Sequence, residues 1–431
     1  MNEDFVVFLW KHRKLRGNPL RTVCGKDVEI ISPGQENHNS GPDFLSAMVR
    51  IDHTLWAGNV EIHVRSSQWF AHNHHKDKAY DNIILHVVYE FDREITSSSR
   101  NIIQHLEVKH YFDHALLENY TQLERSKTWI ACAKLIGQID PYLIKHWIWR
   151  LLVSRIERKT EEMNHYLNYF NADREKTFLF MLCRVLAGKA NETAFGLLVQ
   201  RLDRLILEKN HNQLFILEAL LFGQAGLLEE SFMEDYPKSL QVEYQYQRKK
   251  HDLPPPLRKQ IWKYSRMRPG NFPDLRIAQL AMLICNNGGI RFRQIIQSHR
   301  AEEIGCFFRI QPSAYWSSHY RLDHPVSPKS GTIGEETINR LLINTIAPAI
   351  AIDRTEKNGT HAFEGAISLL EQLPPENNKI IRQWQRLLSQ LESAAETQGL
   401  LELYKYYCTP KKCLKCMIGN KILSSNSSFR N

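Results

Sequence analysis

The chain has 431 residues, of which 43% are hydrophobic and 24% are charged. These values are typical of a folded protein with one large domain or two or three smaller ones, and they exclude a disordered chain, a fibrous protein and a small disulfide-stapled domain. The net charge of +9 permits a polyanionic partner. Much of this excess lies after Leu401, where six basic residues accompany a single acid, Glu402.

Targeting signals are not evident in the sequence. The N-terminus is acidic at Glu3 and its apolar stretch at 5–10 is short, whereas a signal peptide begins with basic residues and a longer apolar region. The longest apolar stretch, near 214–228, is interrupted by Glu218 and Gln224, which argues against a bilayer span. We expect a cytoplasmic protein with reduced cysteines and no membrane partner. No pattern specifies the oligomeric state.

The predicted elements change character near residue 125. The first part begins with a helix at 2–13 and a short strand at 28–31. Further strands are predicted at 43–51, 55–64, 83–91 and 102–108. Ser66 is expected to cap a short helix that runs through 69–72.

From about residue 128 the hydrophobic period becomes helical. Helices are predicted at 139–163, 177–187, 194–207, 212–223, 275–285, 335–347, 362–373 and 379–403, where the last stretch forms either one helix or two. The sequence therefore predicts an α/β plus all-α protein. It would consist of a small α/β domain at 1–125, a large helical domain at 126–403, and a cysteine knuckle with a disordered tail at 404–431.

The two central strands predict a hairpin that turns near His53. This register pairs Asp43 with His63 and Leu45 with Glu61, so that Asp43, Glu61 and His63 share one face. The opposite face would be apolar, with Phe44, Met48, Val60, Ile62 and Val64.

Two carboxylates and an imidazole in one patch suit a divalent metal ion. We predict Asp43 and Glu61 as ligands of Mg²⁺ or Mn²⁺, and His63 as a third ligand or as the group that activates a water molecule. The alternative is a surface salt-bridge patch with a satisfied histidine. Three further histidines, His72, His75 and His86, leave room for Zn²⁺ or Mn²⁺ at the same place.

The order of elements and two short motifs resemble the core of PD-(D/E)XK nucleases. The matching residues are Pro42–Asp43 and Glu61–Ile62–His63. The resemblance implies a nuclease-like sandwich with a mixed sheet, in which Asp43 and Glu61 bind the metal and His63 assists the water. His63 stands where that superfamily has lysine, so a decayed site that only binds is the alternative.

A cysteine motif, Cys408-x4-Cys413-x2-Cys416, lies in the basic C-terminal region. Its spacing suits zinc or an iron–sulfur cluster, and the alternative is three ordinary thiols in a mobile tail. A fourth ligand would come from Cys24, Cys132, Cys285, Cys306 or a histidine. Some nucleases of the superfamily just named carry one cysteine before the core and three after it, and Cys24 precedes the core here.

A second basic region, 257–276, interleaves basic residues with Trp262, Tyr264 and Phe272. Such a pattern can hold phosphates and stack bases, and the alternative is a solvated helix face whose aromatic side chains lie in the core. The residues predicted to contact nucleic acid in the two basic regions are Lys259, Lys263, Arg266, Arg268, Lys411 and Lys412.

Several longer motifs extend over nearly the whole chain. They include SGPDF at 40–44, AGNVEIH at 57–63 and RPGNFPDLRIAQLA at 268–281. Together they resemble an uncharacterised bacterial family labelled as a domain of unknown function, a resemblance that brings no established activity. The residues themselves predict a metal-dependent nuclease acting on DNA or RNA. Two alternatives stay open: a catalytically inactive nucleic-acid-binding protein, and a helical scaffold with a structural metal site.

Overall fold

A computed structural model describes residues 1–17, 19–96, 102–289, 291–298, 300–328, 331–358, 363–388 and 390–424. The chain forms two compact units. The N-terminal unit comprises Met1–Trp147 together with the segment that begins at Leu403, and the helical unit comprises Ile148–Glu402. The C-terminal segment, predicted as a separate part at 404–431, thus belongs to the N-terminal unit. The tail predicted to be disordered lies outside the described residues from 425 onward.

The N-terminal unit is built on a mixed sheet. Its elements in chain order are α1 (Glu3–Lys11), β1 (Leu20–Arg21), β2 (Asp27–Ser32), β3 (Gln35–Glu36), β4 (Phe44–Ile51), β5 (Thr54–Arg65), α2 (Gln68–Ala71), β6 (Ile83–Glu90), β7 (His105–Glu107) and α3 (His114–Arg125). The strand order is β1-β2-β4-β5-β6-β7, with β3 also paired to β4. Strands β5, β6 and β7 are mutually parallel, and the other pairs are antiparallel.

Helix α1 packs its apolar side against β5 and β6. Phe5, Leu9 and Trp10 are fully buried there, and the Phe5 ring stacks on Tyr120 of α3 with 5.4 Å between ring centroids. Asn2 caps the helix by accepting a hydrogen bond from the amide of Phe5 at 3.1 Å. This packing holds the first turn of α1 at one end of the sheet.

A β-bulge in β4 changes the register predicted for the hairpin. Beyond it the pairs run from Ala47 with Gly58 to Ile51 with Thr54, whereas before it Phe44 pairs with Val60. The bulged residues are Leu45 and Ser46, and Ser46 has a left-handed backbone (φ 55°). The predicted pairing of Asp43 with His63 is therefore wrong.

The bulge also reverses which side chains face the core. Ala47, Val49 and Ile51 are buried, while Met48 is exposed, so the predicted core position of Met48 is wrong. The bulge is held from two sides. The side chain of Asn59 accepts a hydrogen bond from the amide of Ser46 at 3.3 Å, and Gly34 lies directly against the backbone of Leu45 and Ala47.

The helical unit follows the N-terminal sheet, which confirms the predicted α/β plus helical architecture. Its elements are α4 (Pro141–Tyr169, which begins in the N-terminal unit), α5 (Arg174–Arg201), α6 (Arg204–Lys209), α7 (Leu214–Gln224), α8 (Asp235–Lys250), α9 (Pro273–Asn286), α10 (Phe292–Ile296), α11 (Ala301–Cys306), a small hairpin of β8 (His319–Arg321) and β9 (His324–Pro325), α12 (Glu335–Leu341), α13 (Ala347–Asn358), α14 (Glu364–Glu371), α15 (Lys379–Gln385) and α16 (Ala394–Leu403, which ends in the N-terminal unit). The final helix, α17 (Met417–Ser424), belongs to the N-terminal unit.

The helices of this second unit enclose one large apolar core. The stretch predicted at 379–403 forms two helices, α15 and α16. The two helices predicted at 177–187 and 194–207 lie largely within α5, where Gly188 departs from helical geometry (φ 68°, ψ 168°). Helices α3, α8, α10, α11 and α13 were not predicted. Among the described residues, no helix combines the length and apolar character needed to cross a bilayer.

Replacement of Gly34 tests the importance of the bulge. A Cβ atom at this position would lie 2.5 Å from the carbonyl oxygen of Leu45, in addition to the strain of a left-handed backbone (φ 86°). Gly25 has a similar φ of 83° and nothing within 4 Å of such a Cβ. We expect Gly34→Ala to lower the free energy of unfolding by about 1–3 kcal/mol more than Gly25→Ala, measured by urea denaturation. Equal decreases in the two variants would contradict this account.

Candidate metal centre in the N-terminal unit

The structure places Asp43 and Glu61 side by side. Asp43 directly precedes β4, and Glu61 lies in β5. The amide of Asp43 donates a hydrogen bond to Oε2 of Glu61 at 3.1 Å, and the amide of Ile62 donates to Oδ2 of Asp43 at 2.9 Å. Glu61 thus accepts a hydrogen bond from the backbone amide of Asp43, and Asp43 accepts one from the amide that follows Glu61. Glu61 is 5% exposed and Asp43 is half-buried.

A row of histidines crosses the sheet beside these carboxylates. Nε2 of His63 lies 3.1 Å from Nδ1 of His72, and Nδ1 of His63 lies 2.8 Å from Nε2 of His86. His86 in β6 is paired with His105 in β7, and their ring centroids are 5.2 Å apart. The row starts at the exposed His72 and runs inward to buried rings.

The segment after β5 covers this polar face of the sheet. Ser66 was predicted to cap the short helix, but α2 begins at Gln68. The Ser66 hydroxyl instead contacts Oδ1 of Asp92 at 2.9 Å, and Asp92 accepts the amide of Ser67 at 2.8 Å. Because these contacts fix the start of the segment, its aromatic residues reach the sheet, and Trp69 is fully buried.

A tight turn then selects which histidine enters the site. Asn73 has a left-handed backbone (φ 61°), a conformation that asparagine adopts more readily than most residues. His74, directly after it, is buried and stacks on Tyr80 with 3.9 Å between ring centroids. The predicted ligand His75 instead lies beside Phe70, at 5.2 Å. Sequence reasoning missed His74 because the turn, and not the spacing, decides which ring faces inward.

Ligand atoms from three histidines and one carboxylate converge at one point. His63, His72 and His74 each present one nitrogen, and these atoms lie within 4.8 Å of one another. Oε1 of Glu61 lies 3.2 Å from Nε2 of His74 and 3.7 Å from Nε2 of His63. Zinc–nitrogen bonds of about 2.0–2.1 Å in tetrahedral geometry place neighbouring ligand atoms roughly 3.3 Å apart. We call these four residues, together with Asp43, the histidine–carboxylate cluster.

His86 lies behind His63 and does not join the converging atoms. Its contact with Nδ1 of His63 is the kind of second hydrogen bond that orients a metal-bound histidine. If His63 donates from Nδ1, its Nε2 carries the lone pair that faces Glu61 and His72. Of the additional histidines predicted, the structure therefore brings His72 to the cluster, places His86 behind it, and turns His75 away.

Burial controls the charge of the cluster. Burial and the adjacent Glu61 raise the pKa of Asp43 to about 7, and burial raises the pKa of Glu61 to about 8. Burial lowers the pKa of His63 to about 3 and the pKa of His86 well below its usual value. Without a bound cation, Glu61 and His63 are therefore held mainly in their neutral forms near pH 7.

Glu3 adds a further carboxylate that sequence reasoning missed. It is half-buried in the first turn of α1, and its charge raises the pKa of both Asp43 and Glu61. Burial raises the pKa of Glu3 itself. Glu3 reaches the carboxylates because α1 packs on the sheet. No local sequence motif indicates this packing.

Some of the basic residues predicted to contact nucleic acid already have partners within the protein. Lys259 forms an ion pair with Glu230, and Nζ of Lys411 donates to the carbonyl oxygen of Ser126 at 3.0 Å. Five of the predicted residues are exposed, namely Lys263, Arg266, Arg268, Lys411 and Lys412.

The aromatic residues of the basic segment are engaged in the fold. Trp262 is buried and donates from its indole nitrogen to the carbonyl oxygen of Ala225 at 2.8 Å. The hydroxyl of Tyr264 donates to Asp274 at 2.6 Å. These two rings are therefore not available to stack on bases, and the segment before Pro273 forms short 3₁₀ turns where a helix face was the alternative.

The raised pKa of Glu61 predicts how stability depends on pH in metal-free protein. A carboxyl group whose pKa is higher in the folded state stabilises the fold at low pH, and this contribution is lost as the pH rises through about 8. We expect Glu61→Gln, which stays neutral, to reduce the loss of unfolding free energy between about pH 5 and 8 seen in urea titrations. The exposed Glu29→Gln is the control. An unchanged slope in Glu61→Gln would contradict the assignment.

Comparison with known proteins assigns the chain to a family. No curated protein and no solved structure matches it. Residues 3–379 match the family described as "Protein of unknown function (DUF2851)". This match spans both units and includes the whole histidine–carboxylate cluster, while the C-terminal cysteine motif lies beyond it. The chain therefore belongs to the DUF2851 family.

Proposed function

We propose that the N-terminal unit binds a divalent metal ion at the histidine–carboxylate cluster and hydrolyses phosphodiester bonds of DNA or RNA. One observation carries this proposal: Oε1 of Glu61 and the nitrogens of His63, His72 and His74 converge at ligand spacing. Asp43 lies beside Glu61, and His72 is exposed, so that a ligand can reach the ion from solvent.

The donor atoms favour particular metals. Mg²⁺ prefers an octahedral set of oxygen ligands, whereas imidazole nitrogen suits transition metals and zinc. Three imidazoles and one or two carboxylates therefore support Mn²⁺ or Zn²⁺ over the Mg²⁺ that the sequence also suggested. A bound ion of this kind would polarise a phosphodiester and lower the pKa of a water molecule.

The protein residues would divide the remaining tasks. Glu61, His63 and His74 are buried and fixed by neighbours, which suits ligands. Asp43, with its pKa near neutrality, is placed to hold or accept a proton next to the ion. His63 is 1% exposed and contacts His86 and His72, which supports a role as ligand more than as base.

Two features support nucleic acid as the substrate. The arrangement of α1, the β4–β5 hairpin, α2 and β6, with Asp43 and Glu61 at adjacent positions, supports the resemblance to PD-(D/E)XK nuclease cores. The net charge of +9 and the exposed basic residues of 263–268 and Lys412 would attract a polyanion. These residues would contact phosphates without stacking on bases.

Metal binding and cleavage test the proposal together. We expect purified protein to cleave single- or double-stranded DNA or RNA with Mn²⁺ or Zn²⁺. Glu61→Ala and His74→Ala should weaken metal binding by at least about 100-fold, measured by calorimetry, and abolish cleavage, because each removes a converging ligand atom. His75→Ala is the matched control and should retain both properties.

The outcomes separate the proposal from its alternatives. Cleavage that persists in folded Glu61→Ala protein would contradict the proposed site. Metal binding without cleavage of any nucleic acid would contradict hydrolysis and favour the inactive binding protein or the scaffold.

Salt dependence tests the basic surface. We expect nucleic-acid affinity to fall steeply with salt, because bound phosphates release counterions. Replacing Lys263, Arg266 and Arg268 by alanine should reduce the slope of log affinity against log salt by roughly 1 for each phosphate that the variant no longer binds, measured by fluorescence anisotropy. Alanine at Lys249 and Lys250, at the end of α8, is the control for a general decrease in positive charge. An unchanged slope in the triple variant would exclude this segment as the interface.

A further inference from the structure

The C-terminal cysteine motif returns to an earlier part of the N-terminal unit. Nζ of Lys411 donates to the carbonyl oxygens of Glu124 and Ser126, the latter at 3.0 Å. The ring of Tyr404 lies 5.7 Å from that of Trp129, and α17 packs against α3. These contacts bring the motif beside Cys132.

Four cysteines consequently lie near one another, although no three of their sulfur atoms are within 4.8 Å of one another. A single zinc ion would therefore draw the sulfurs closer together, since zinc–sulfur bonds of about 2.3 Å place neighbouring sulfurs roughly 3.8 Å apart. Cys132 has Cys416 and Cys413 as electrostatic neighbours, and Cys408 has Cys132, Cys416 and Cys413. Cys416 is buried, and the other three are half-buried. Of the other candidates for a fourth ligand, Cys24 and Cys306 are exposed. We call Cys132, Cys408, Cys413 and Cys416 the cysteine group.

The local backbone is shaped around this group. A tight turn at Cys413–Lys415 leads directly into α17. Within α17, Gly419 lies so close to this turn that a Cβ atom would overlap the carbonyl oxygen of Cys413. Glycine therefore permits the helix start to close on the turn and brings Cys413 and Cys416 together.

Cys416 directly precedes α17, whose first turn includes the amides of Ile418 and Gly419. The unpaired N–H groups of a helix's first turn favour a negative charge, and the thiolate is the form of cysteine that binds metal. The position of Cys416, which is 8% exposed, therefore suits a thiolate.

We propose that Cys132, Cys408, Cys413 and Cys416 form a four-thiolate site for a soft metal centre, either one zinc ion or an iron–sulfur cluster. Both centres take four cysteine thiolates. The site uses different elements and different donor atoms from the histidine–carboxylate cluster, and it does not depend on the proposed hydrolase activity. Its effect would be to fasten the C-terminal segment to the N-terminal unit.

The metal content of the full chain tests this inference. The protein is purified anaerobically from cells supplied with zinc and iron, in a His74→Ala background that disables the other cluster. We expect either one zinc per chain without visible absorption, or iron with acid-labile sulfide and broad visible absorption. Cys132→Ser should lose this metal, whereas Cys24→Ser, at an exposed cysteine outside the group, should keep it.

A second measurement applies if Cys132→Ser does not fold. In His74→Ala protein, titration with a mercurial should release the metal as the thiols react, and protease digestion should map the protected thiols to the four proposed positions. Two outcomes would overturn the proposal. One is a folded full chain that takes up neither zinc, cobalt nor an iron–sulfur cluster on reconstitution. The other is a Cys132→Ser protein that keeps its metal.

Discussion

The buried pairing of two carboxyl groups, Asp43 and Glu61, is the constraint on which the N-terminal site depends. Removing two carboxylates from water is costly unless charge or hydrogen bonds compensate. Glu61 accepts a hydrogen bond from the amide of Asp43 at 3.1 Å, and Asp43 accepts one from the amide of Ile62 at 2.9 Å. These two bonds do not offset the loss of water, so protons are retained near neutral pH. The His63 imidazole is neutral for the same reason, since burial lowers its pKa to about 3. Such a set of neutral, oriented groups can exchange protons for a metal ion without rearrangement.

The two proposed centres divide the metal chemistry of the unit by donor type. Nitrogen and carboxylate oxygen at one place favour Mn²⁺ or Zn²⁺ that keeps an open position, and sulfur at the other favours a closed, structural centre. The cysteine group also has a role in chain connectivity, because the whole helical unit is inserted between Cys132 and Cys408. A bond network there closes a long loop, and closing a long loop restricts the unfolded chain more than closing a short one.

Local patterns predicted most elements because hydrophobic periodicity depends on near neighbours. The helix at 2–13, the hairpin strands and most helices of the second unit are found close to their predicted positions. The register within the hairpin was not predictable in this way. Between the bulge and the turn, Ala47 pairs with Gly58 and Ile51 with Thr54. If this register continued without a bulge, Asp43 would lie opposite Ile62 and face the core. The bulge at Leu45 and Ser46 shifts that register by one residue and turns the Asp43 side chain toward Glu61. It depends on Gly34 and Asn59, which belong to other segments of the chain.

The sequence by itself determined the alternation of strands and helices, and it identified the residue types able to bind a cation: carboxylates and histidines near β5, and three cysteines near the C-terminus. The tertiary structure decided which of them meet. It turned His74 inward and His75 away through the left-handed Asn73, brought Glu3 near the carboxylates through the packing of α1, and placed Cys132 beside the terminal cysteines. It also committed Trp262 and Tyr264 to internal contacts. The physical reason is common to all of these. Each depends on a turn conformation or on contacts between segments far apart in the chain, and neither leaves a periodic signal in the sequence.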